Sequence, residues 1–459
     1  MFKMKLVFDV KDKPKLGQLI VFAIQQLLAI MAATLVVPVI INGNASLEGA
    51  DAMSTAAALF GAGVGTLVYV LFTKAKSPVF LGSSFAFIGS MTAAFAGAAS
   101  VAVGYLGLII GAFFAGLVYV VIAIVVKFVG VDWLNRLMPA VVIGPTVAII
   151  GLSLAGNAVG DLQKSNATGE NSVIAVLCGV VTLIVTMICS TYGKKTAKLI
   201  PFIIGILSGY AVAAIFTAIG YAADIDALKI SDFSPLTALV ADGLRLDTFF
   251  TLPKFTFVTA LGGFKQIDGS YIGTVAAAYV PVAFVVFAEH IADHKNISSI
   301  IEKDLLSDPG LSRTLLGDGV GSMAGALFGG CPNTTYGESV ACVAITGNAS
   351  VATIIAAAVG AIIISFLAPF VAFVNSIPSC VMGGVCMALY GFIAVSGLKM
   401  IQKVDLNQNR NLFVVSAILI AGIGGLTLTF GKVTITSIAC ALILGIIVNN
   451  VLSKEKTEE

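Results

Sequence analysis

Charge is what this sequence has least of. Only 11% of its 459 residues are Asp, Glu, Lys or Arg, against roughly 25% in a soluble globular protein. That shortfall excludes an ordinary soluble enzyme. Histidine occurs twice and tryptophan once. The seven Cys (Cys178, Cys189, Cys331, Cys342, Cys380, Cys386 and Cys440) include no Cys-x-x-Cys pair and sit in apolar stretches. They support neither a disulfide framework nor a zinc site, and read as small core residues. Net charge is +2 with no long basic run, which leaves no electrostatic footprint for nucleic acid. What is abundant is apolar, at 58% hydrophobic, and the partner this implies is the lipid bilayer.

A bilayer core of about 30 Å takes about 20 mostly apolar residues per helix, because backbone polar groups in lipid must bond within their own segment. The sequence predicts fourteen such segments: 16–41, 53–73, 78–98, 104–127, 136–158, 172–191, 198–221, 274–293, 312–331, 332–347, 350–375, 378–399, 411–430 and 433–452. Lys and Arg favour the cytoplasmic side. With the N-terminus inside, 20 of the 26 basic residues fall in cytoplasmic segments. Four of the other six (Lys229, Arg245, Lys254, Lys265) lie in one long hydrophilic loop, 222–272. Both termini are therefore expected in the cytoplasm. The first helix is too long for a signal-peptide core and lacks a cleavage site.

The loop 222–272 leaves seven segments on either side. An odd number per half turns the second half upside down in the membrane, the inverted-repeat plan of many secondary transporters. Leu81-Gly82-Ser83-Ser84-Phe85 in the third segment is echoed by Pro332-Asn333-Thr334-Thr335-Tyr336 in the tenth. Both interrupt apolar runs with Gly, Pro and small polar residues, which lowers helix propensity. Irregular backbone at membrane depth persists where it is buried in protein or lines a cavity. The predicted fold class is an all-α polytopic membrane protein, fourteen transmembrane segments in two inverted repeats of seven, with short extended stretches in segments 3 and 10.

Four acidic residues fall within apolar segments: Glu289, Asp293, Asp318 and Glu338. Each costs several kcal/mol near the bilayer centre unless paired, protonated or facing a cavity. Glu289 and Asp293 are four apart, on one helix face. Glu338 follows the second broken stretch, where exposed amides and a helix start can hold a proton and a polar ligand. Asp318, between Gly317 and Gly319, reads as structural. His290 and His294 read as satisfied by backbone carbonyls rather than as switches. Gln25 and Gln26 read as interhelical glue or as substrate contacts, and the 48 glycines as close helix packing.

These residues carry a resemblance. Gln25-Gln26-Leu27-Leu28-Ala29, Leu81-Gly82-Ser83-Ser84-Phe85-Ala86-Phe87, Phe287-Ala288-Glu289-His290-Ile291, Lys303 to Leu311 and Pro332-Asn333-Thr334-Thr335-Tyr336-Gly337-Glu338 resemble the nucleobase-ascorbate transporter family, its uracil permeases above all. The resemblance implies a core domain (16–128 and 273–376, helices 1–4 and 8–11) and a gate domain (129–221 and 377–452, helices 5–7 and 12–14). The cytoplasmic N-terminus 1–15, the extracellular loop 222–272 and the cytoplasmic tail 453–459 complete the chain. It further implies that Glu289 and Glu338 bind the pyrimidine, that the amides of Phe85 and Gly337 meet the base, and that Ala33, Tyr336 and Tyr390 line its pocket. Two departures stand out. Asp293 with His294 following stands where some uracil permeases carry His. Ser339 stands where the signature has Asn. Purine and xanthine members more often carry Gln at the position of Glu338, so Glu leans towards uracil.

The expected activity is uracil import by proton symport in the cell membrane, with Glu289, Asp293 and Glu338 as proton-coupling groups, no cofactor beyond the proton, no metal, and a homodimer. A purine or xanthine symporter is the alternative. An anion transporter of the same architecture conflicts with the buried carboxylates, a channel lacks rings of polar residues, and an enzyme lacks a nucleophile–base pair.

Overall fold

The computed structural model describes residues 6–130, 133, 138–194, 196–241, 243–430 and 433–452. The expected tail 453–459 and the basic residues Lys3, Lys5, Arg136, Lys195, Lys454 and Lys456 lie outside the described residues.

The longer elements run, in chain order, α1 (Leu16–Asn44), α2 (Thr55–Phe72), β1 (Leu81–Ser83), α3 (Ile88–Ala96), α4 (Val101–Val129), α5 (Ala140–Ser153), α6 (Ala155–Gln163), α7 (Val173–Tyr192) and α8 (Pro201–Ala223). After the long loop come α9 (Gly269–Ile301), α10 (Leu311–Gly329), β2 (Asn333–Thr335), α11 (Gly337–Thr346), α12 (Val351–Ile364), α13 (Ala368–Asn375), α14 (Ser379–Ile401), α15 (Asn409–Ile423), β3 (Leu428–Phe430), β4 (Val433–Ile435) and α16 (Ser437–Leu452). Among the described residues eight helical spans are long and apolar enough to cross a membrane, counting α5 and α6 as one.

Local chemistry sets the helix ends. Side-chain oxygens of Ser54, Ser100, Ser172 and Asp268 accept from backbone amides in the first turns of α2, α4, α7 and α9, supplying partners for donors that a helix start leaves unpaired. Gly330 ends α10 with φ +75, a left-handed conformation glycine adopts without steric cost. Pro332 follows and cannot continue the helix ladder.

Packing sorts the helices into two groups. In one, α10 lies against α2 and α4, α12 against α1 and α2, and α9 against α4. In the other, α14 lies against α5, α6 and α7, α8 against α7, and α15 against α5 and α16. Small residues let these helices approach. A Cβ on Gly61 would stand 2.4 Å from the carbonyl oxygen of Gly325, and one on Gly65 2.8 Å from that of Gly321, so α2 and α10 touch backbone to backbone, as glycine-rich helix seams in membranes do.

The chain departs from its sequence expectation in three places. Segments 411–430 and 433–452 are not helical throughout: α15 stops at Ile423, Gly425 takes φ +73, and β3 pairs antiparallel with β4. The cause is the alternation Leu428-Thr429-Phe430 and Val433-Thr434-Ile435, a period of two in β-branched and aromatic residues. Segment 350–375 breaks between α12 and α13, where Pro369 sits in the first turn of the second helix. The loop 222–272, expected to be hydrophilic, exposes Leu244, Leu246, Phe249, Phe250, Leu252, Leu261 and Phe264. Its Phe255 is tied to Phe60 and Phe328 by ring contacts at 4.9 and 5.5 Å.

Candidate functional site

The two broken stretches meet. β1 and β2 pair antiparallel with Leu81 opposite Thr335, Gly82 opposite Thr334 and Ser83 opposite Asn333. The pairing extends past both ends: Ser84 N donates to Pro332 O at 2.9 Å and Tyr336 N to Phe80 O at 3.2 Å. A two-stranded ribbon leaves outer backbone groups unpaired. Side chains attend to them. Leu81 N donates to Thr66 Oγ1 at 2.9 Å and Leu81 O accepts from it at 3.2 Å, while Asn333 Nδ2 anchors β2 by donating to Gly61 O of α2 at 3.1 Å. The Tyr336 hydroxyl donates to Ser83 O at 2.7 Å, and its ring lies so close to β1 that a Cβ on Gly82 would be 2.4 Å from it. Glycine is required there by space.

Beside this ribbon lies a cavity of about 490 Å³. Ala29 of α1, Phe85, Glu289 and Asp293 of α9, and Tyr336, Gly337 and Glu338 at the start of α11 line it. Val147, Ile150, Phe202, Leu389 and Phe392 of the other helix group form the facing wall. The cavity therefore lies between the two groups. It extends to the polar Ser190, Lys198, Asn296 and Ser396 and to Met400, residues that the sequence reading does not single out as lining a site.

Glu289, Asp293 and Glu338 come from two elements and face one space. Asp293 is fixed by a 2.9 Å hydrogen bond from Thr335 Oγ1. Gly337 opens α11, so the first N–H groups of that helix lack intrahelical partners and point towards the cavity end. Carboxyl acceptors and amide donors thus converge on one pocket, an arrangement that suits a small polar ligand with both donors and acceptors.

Of the residues named from sequence, Phe85, Glu289, Asp293, Tyr336, Gly337 and Glu338 line the cavity. Ala33 does not: it is buried at 2% exposure, one turn beyond Ala29, which takes the lining position. Tyr390 also stands behind the wall, its ring edge-on to Phe85 at 6.0 Å. Asp318 is wholly buried and its Oδ2 lies 2.7 Å from Nδ1 of His290. His290 Nε2 reaches Thr314 Oγ1 at 3.0 Å, so His290 is not held by a backbone carbonyl as expected. A carboxylate one helix away competes better for its N–H. His294 fits the expectation, with Nδ1 at 2.8 Å from His290 O, and adds a contact from Nε2 to the Tyr69 hydroxyl at 2.7 Å. Gln26 bonds Ser339 of α11 and acts as the expected interhelical glue.

A second hollow of about 350 Å³ is lined by Asn44, Thr92, Ser153, Asn157 and Thr436. It shares Phe85 and Ile150 with the first. Asn157 Nδ2 donates to Asn44 Oδ1 at 2.8 Å across it, linking α6 to α1.

A family model described as "Permease family" matches residues 17–431. The chain is 38% identical to the uracil permease of Bacillus caldolyticus over 451 residues, covering 98% of this chain and 95% of that protein. It is 34% identical to the uracil permease of Escherichia coli strain K12, covering 95% of this chain and 92% of that one. Among solved structures, the transmembrane domain of the cyanobacterial bicarbonate transporter BicA superposes with a TM-score of 0.60 at 14% identity, covering 96% of this chain and all of that one. Murine Slc26a9, an anion transporter in the inward-facing state, superposes at 0.62 with 11% identity, covering 96% of this chain and 69% of that one. These last two likenesses concern the fold.

Proposed function

We propose a function for this chain from the fact that it belongs to the permease family, a family of multi-pass membrane transporters rather than enzymes: it imports uracil by proton symport. The observation that carries the reading is the convergence of Glu289 and Glu338 on one cavity beside the start of α11. Uracil is a flat, neutral ring with two N–H donors and two carbonyl acceptors. Two carboxyl groups accept from the first pair, and amides at a helix start donate to the second. The names of relatives at 34–38% identity point the same way.

A proton on a cavity carboxyl removes a charge that the apolar surroundings disfavour. We read this neutralisation as favouring uracil binding and the change of state. We read the packing groups as a core domain (16–128 and 273–376) and a gate domain (129–221 and 377–452) that move against each other, giving alternating access. The two hollows on either side of Phe85 and Ile150 support that reading. The antiparallel pairing of β1 with β2 supports a relation between the two halves as inverted repeats, and fourteen crossings with both termini cytoplasmic in the cell membrane belong to the same proposal. A homodimer belongs to the same proposal.

The test is uptake into proteoliposomes under an acid-outside gradient. Glu338→Ala is expected to abolish accumulation of labelled uracil, and wild-type rates in that variant would sink the assignment. Glu289→Gln separates binding from coupling: retained binding with lost accumulation marks Glu289 as the coupling group. Competition by xanthine, hypoxanthine and thymine decides between a pyrimidine and a purine carrier.

A further inference from the structure

Ser339 sits next to Glu338 in the first turn of α11 and is wholly buried. Its hydroxyl oxygen accepts two hydrogen bonds: one from the side-chain amide of Gln26 on α1, one from the backbone N–H of Phe80 at 2.9 Å. Phe80 is the residue before β1, and its own carbonyl accepts from Tyr336 N, just before α11. Three separate stretches of chain (α1, the entry to β1 and the start of α11) therefore meet at one oxygen atom.

The placement has a direct bearing on Glu338. A helix start is the part of a helix least held by its own hydrogen bonds. Consecutive helical residues point about 100° apart, so Glu338 faces the cavity while Ser339 faces the protein. The direction of the Glu338 carboxyl is set by where the first turn of α11 sits, and Ser339 is the side chain tying that turn to α1. Gln26 is itself 3% exposed, and Ala29, three residues on, lines the cavity. Neither Gln26 nor Ser339 lines the cavity itself.

We propose that Gln26 and Ser339 are a positioning pair that aims Glu338 at the substrate and so sets affinity and selectivity without touching it. The proposal rests on the uracil-transport reading above. Ser339→Ala strands the Gln26 amide and the Phe80 N–H, and Gln26→Leu leaves Ser339 Oγ with Phe80 alone and cuts the tie to α1; either change frees the first turn of α11 to shift, so that substrate contacts change while the rest of the transport cycle is kept.

The experiment measures initial rates of labelled uracil uptake against concentration in proteoliposomes, with transporter per vesicle quantified, for wild type, Gln26→Leu, Ser339→Ala and the double variant. Thymine, 5-fluorouracil and xanthine are run as competitors. Each single variant is expected to raise KM about tenfold or more with Vmax per transporter within about threefold, and to change the order of competitors. The double variant is expected to be no worse than the worse single, because the pair is lost as a unit. A purely structural bond would lower the amount of folded protein and leave KM and the competitor order alone. That result, or losses that multiply in the double variant, overturns the proposal. Where Ser339→Ala does not fold, Ser339→Cys keeps a weaker acceptor of similar size. Its KM should fall between those of wild type and Gln26→Leu, and a wild-type KM in both folded variants is again fatal. A wild-type protein that takes up no uracil refutes the transport reading instead. The same variants are then compared by thermal shift with whichever competitor binds the wild type.

Discussion

Thr335 Oγ1 donates a 2.9 Å hydrogen bond to Asp293 Oδ2, fastening β2 to α9 on the wall of the cavity. The other oxygen, Asp293 Oδ1, lies 3.8 Å from where a Cβ on Gly337 would stand, so the carboxyl is turned towards the start of α11. A negative charge is favoured beside a helix N-terminus. Among the described residues Asp293 thus has a fixed hydroxyl partner, one turn after Glu289 on α9.

Thr335→Val keeps the shape and removes the donor. Loss of one hydrogen bond is worth about 0.5–1.5 kcal/mol, and an Asp293 carboxyl released to turn away from the cavity is expected to raise uracil KM about two- to tenfold. Saturation curves of uptake check this, and an unaltered curve would show that Asp293 needs no such hold.

Gly82→Ala puts a methyl group 2.4 Å from the Tyr336 ring and 2.9 Å from Thr34 Oγ1. Overpacking of this kind costs about 1–3 kcal/mol. The ring, hydrogen-bonded to Ser83 O, cannot yield without dragging the ribbon. Thermal midpoint and uracil-induced thermal shift should both fall.

His290 and Asp318 are both wholly buried, and Asp318 Oδ1 has no other hydrogen-bond partner among the described residues. Removing one partner leaves the other buried without its hydrogen bond, at about 1–3 kcal/mol. His290→Ala is therefore expected to lower thermal stability in detergent sharply, and His290→Leu with Asp318→Leu to cost less than His290→Ala. A double variant worse than the single would overturn this account.

Much of this arrangement was legible in the sequence. Gly, Pro and small hydroxyl residues marked both broken stretches. Scarce carboxylates marked Glu289, Asp293 and Glu338, because lipid makes every unpaired charge conspicuous. What escaped was three-dimensional pairing. Nothing in the order of residues said that Asp318 would reach His290, 28 positions earlier, or that Gln26 would find Ser339 across 313 residues. The exposed Leu and Phe of 244–264 are hidden in the sequence by dispersed acidic and basic residues, which make the loop hydrophilic on average. In β3 and β4 the period of two lasts only three residues each, too short to stand out from the long apolar segments around them.

Asp9 and Lys303 form an exposed ion pair at 2.6 Å that joins the N-terminal segment to the turn after α9. The Lys303 hydrogen bond, with the backbone amide of Val10, holds the Asp9 carboxyl below its usual range. A carboxyl lowered by folding gives stability that is present above its unfolded value and lost as pH falls through the folded one. The contact is thus intact across about pH 5 to 8, well above both values. Asp9→Asn is expected to leave the shape of the uptake–pH curve in that window unchanged. A shifted curve would place the coupling chemistry at this strap.

Phe85 and Ile150 are shared by the two hollows, and the bond from Asn157 to Asn44 crosses the second of them. Under the alternating-access proposal, water filling both hollows would bring conducting solution to the same two side chains from opposite directions, so that a membrane voltage would fall almost wholly across them. Under the proton-symport proposal, a proton bound at Glu338 or Asp293 would then have crossed little of that voltage. The electrical work, about 2.3 kcal/mol per charge for each 100 mV, would be done when the partition changes sides, so that the voltage would act on the conformational step rather than on binding.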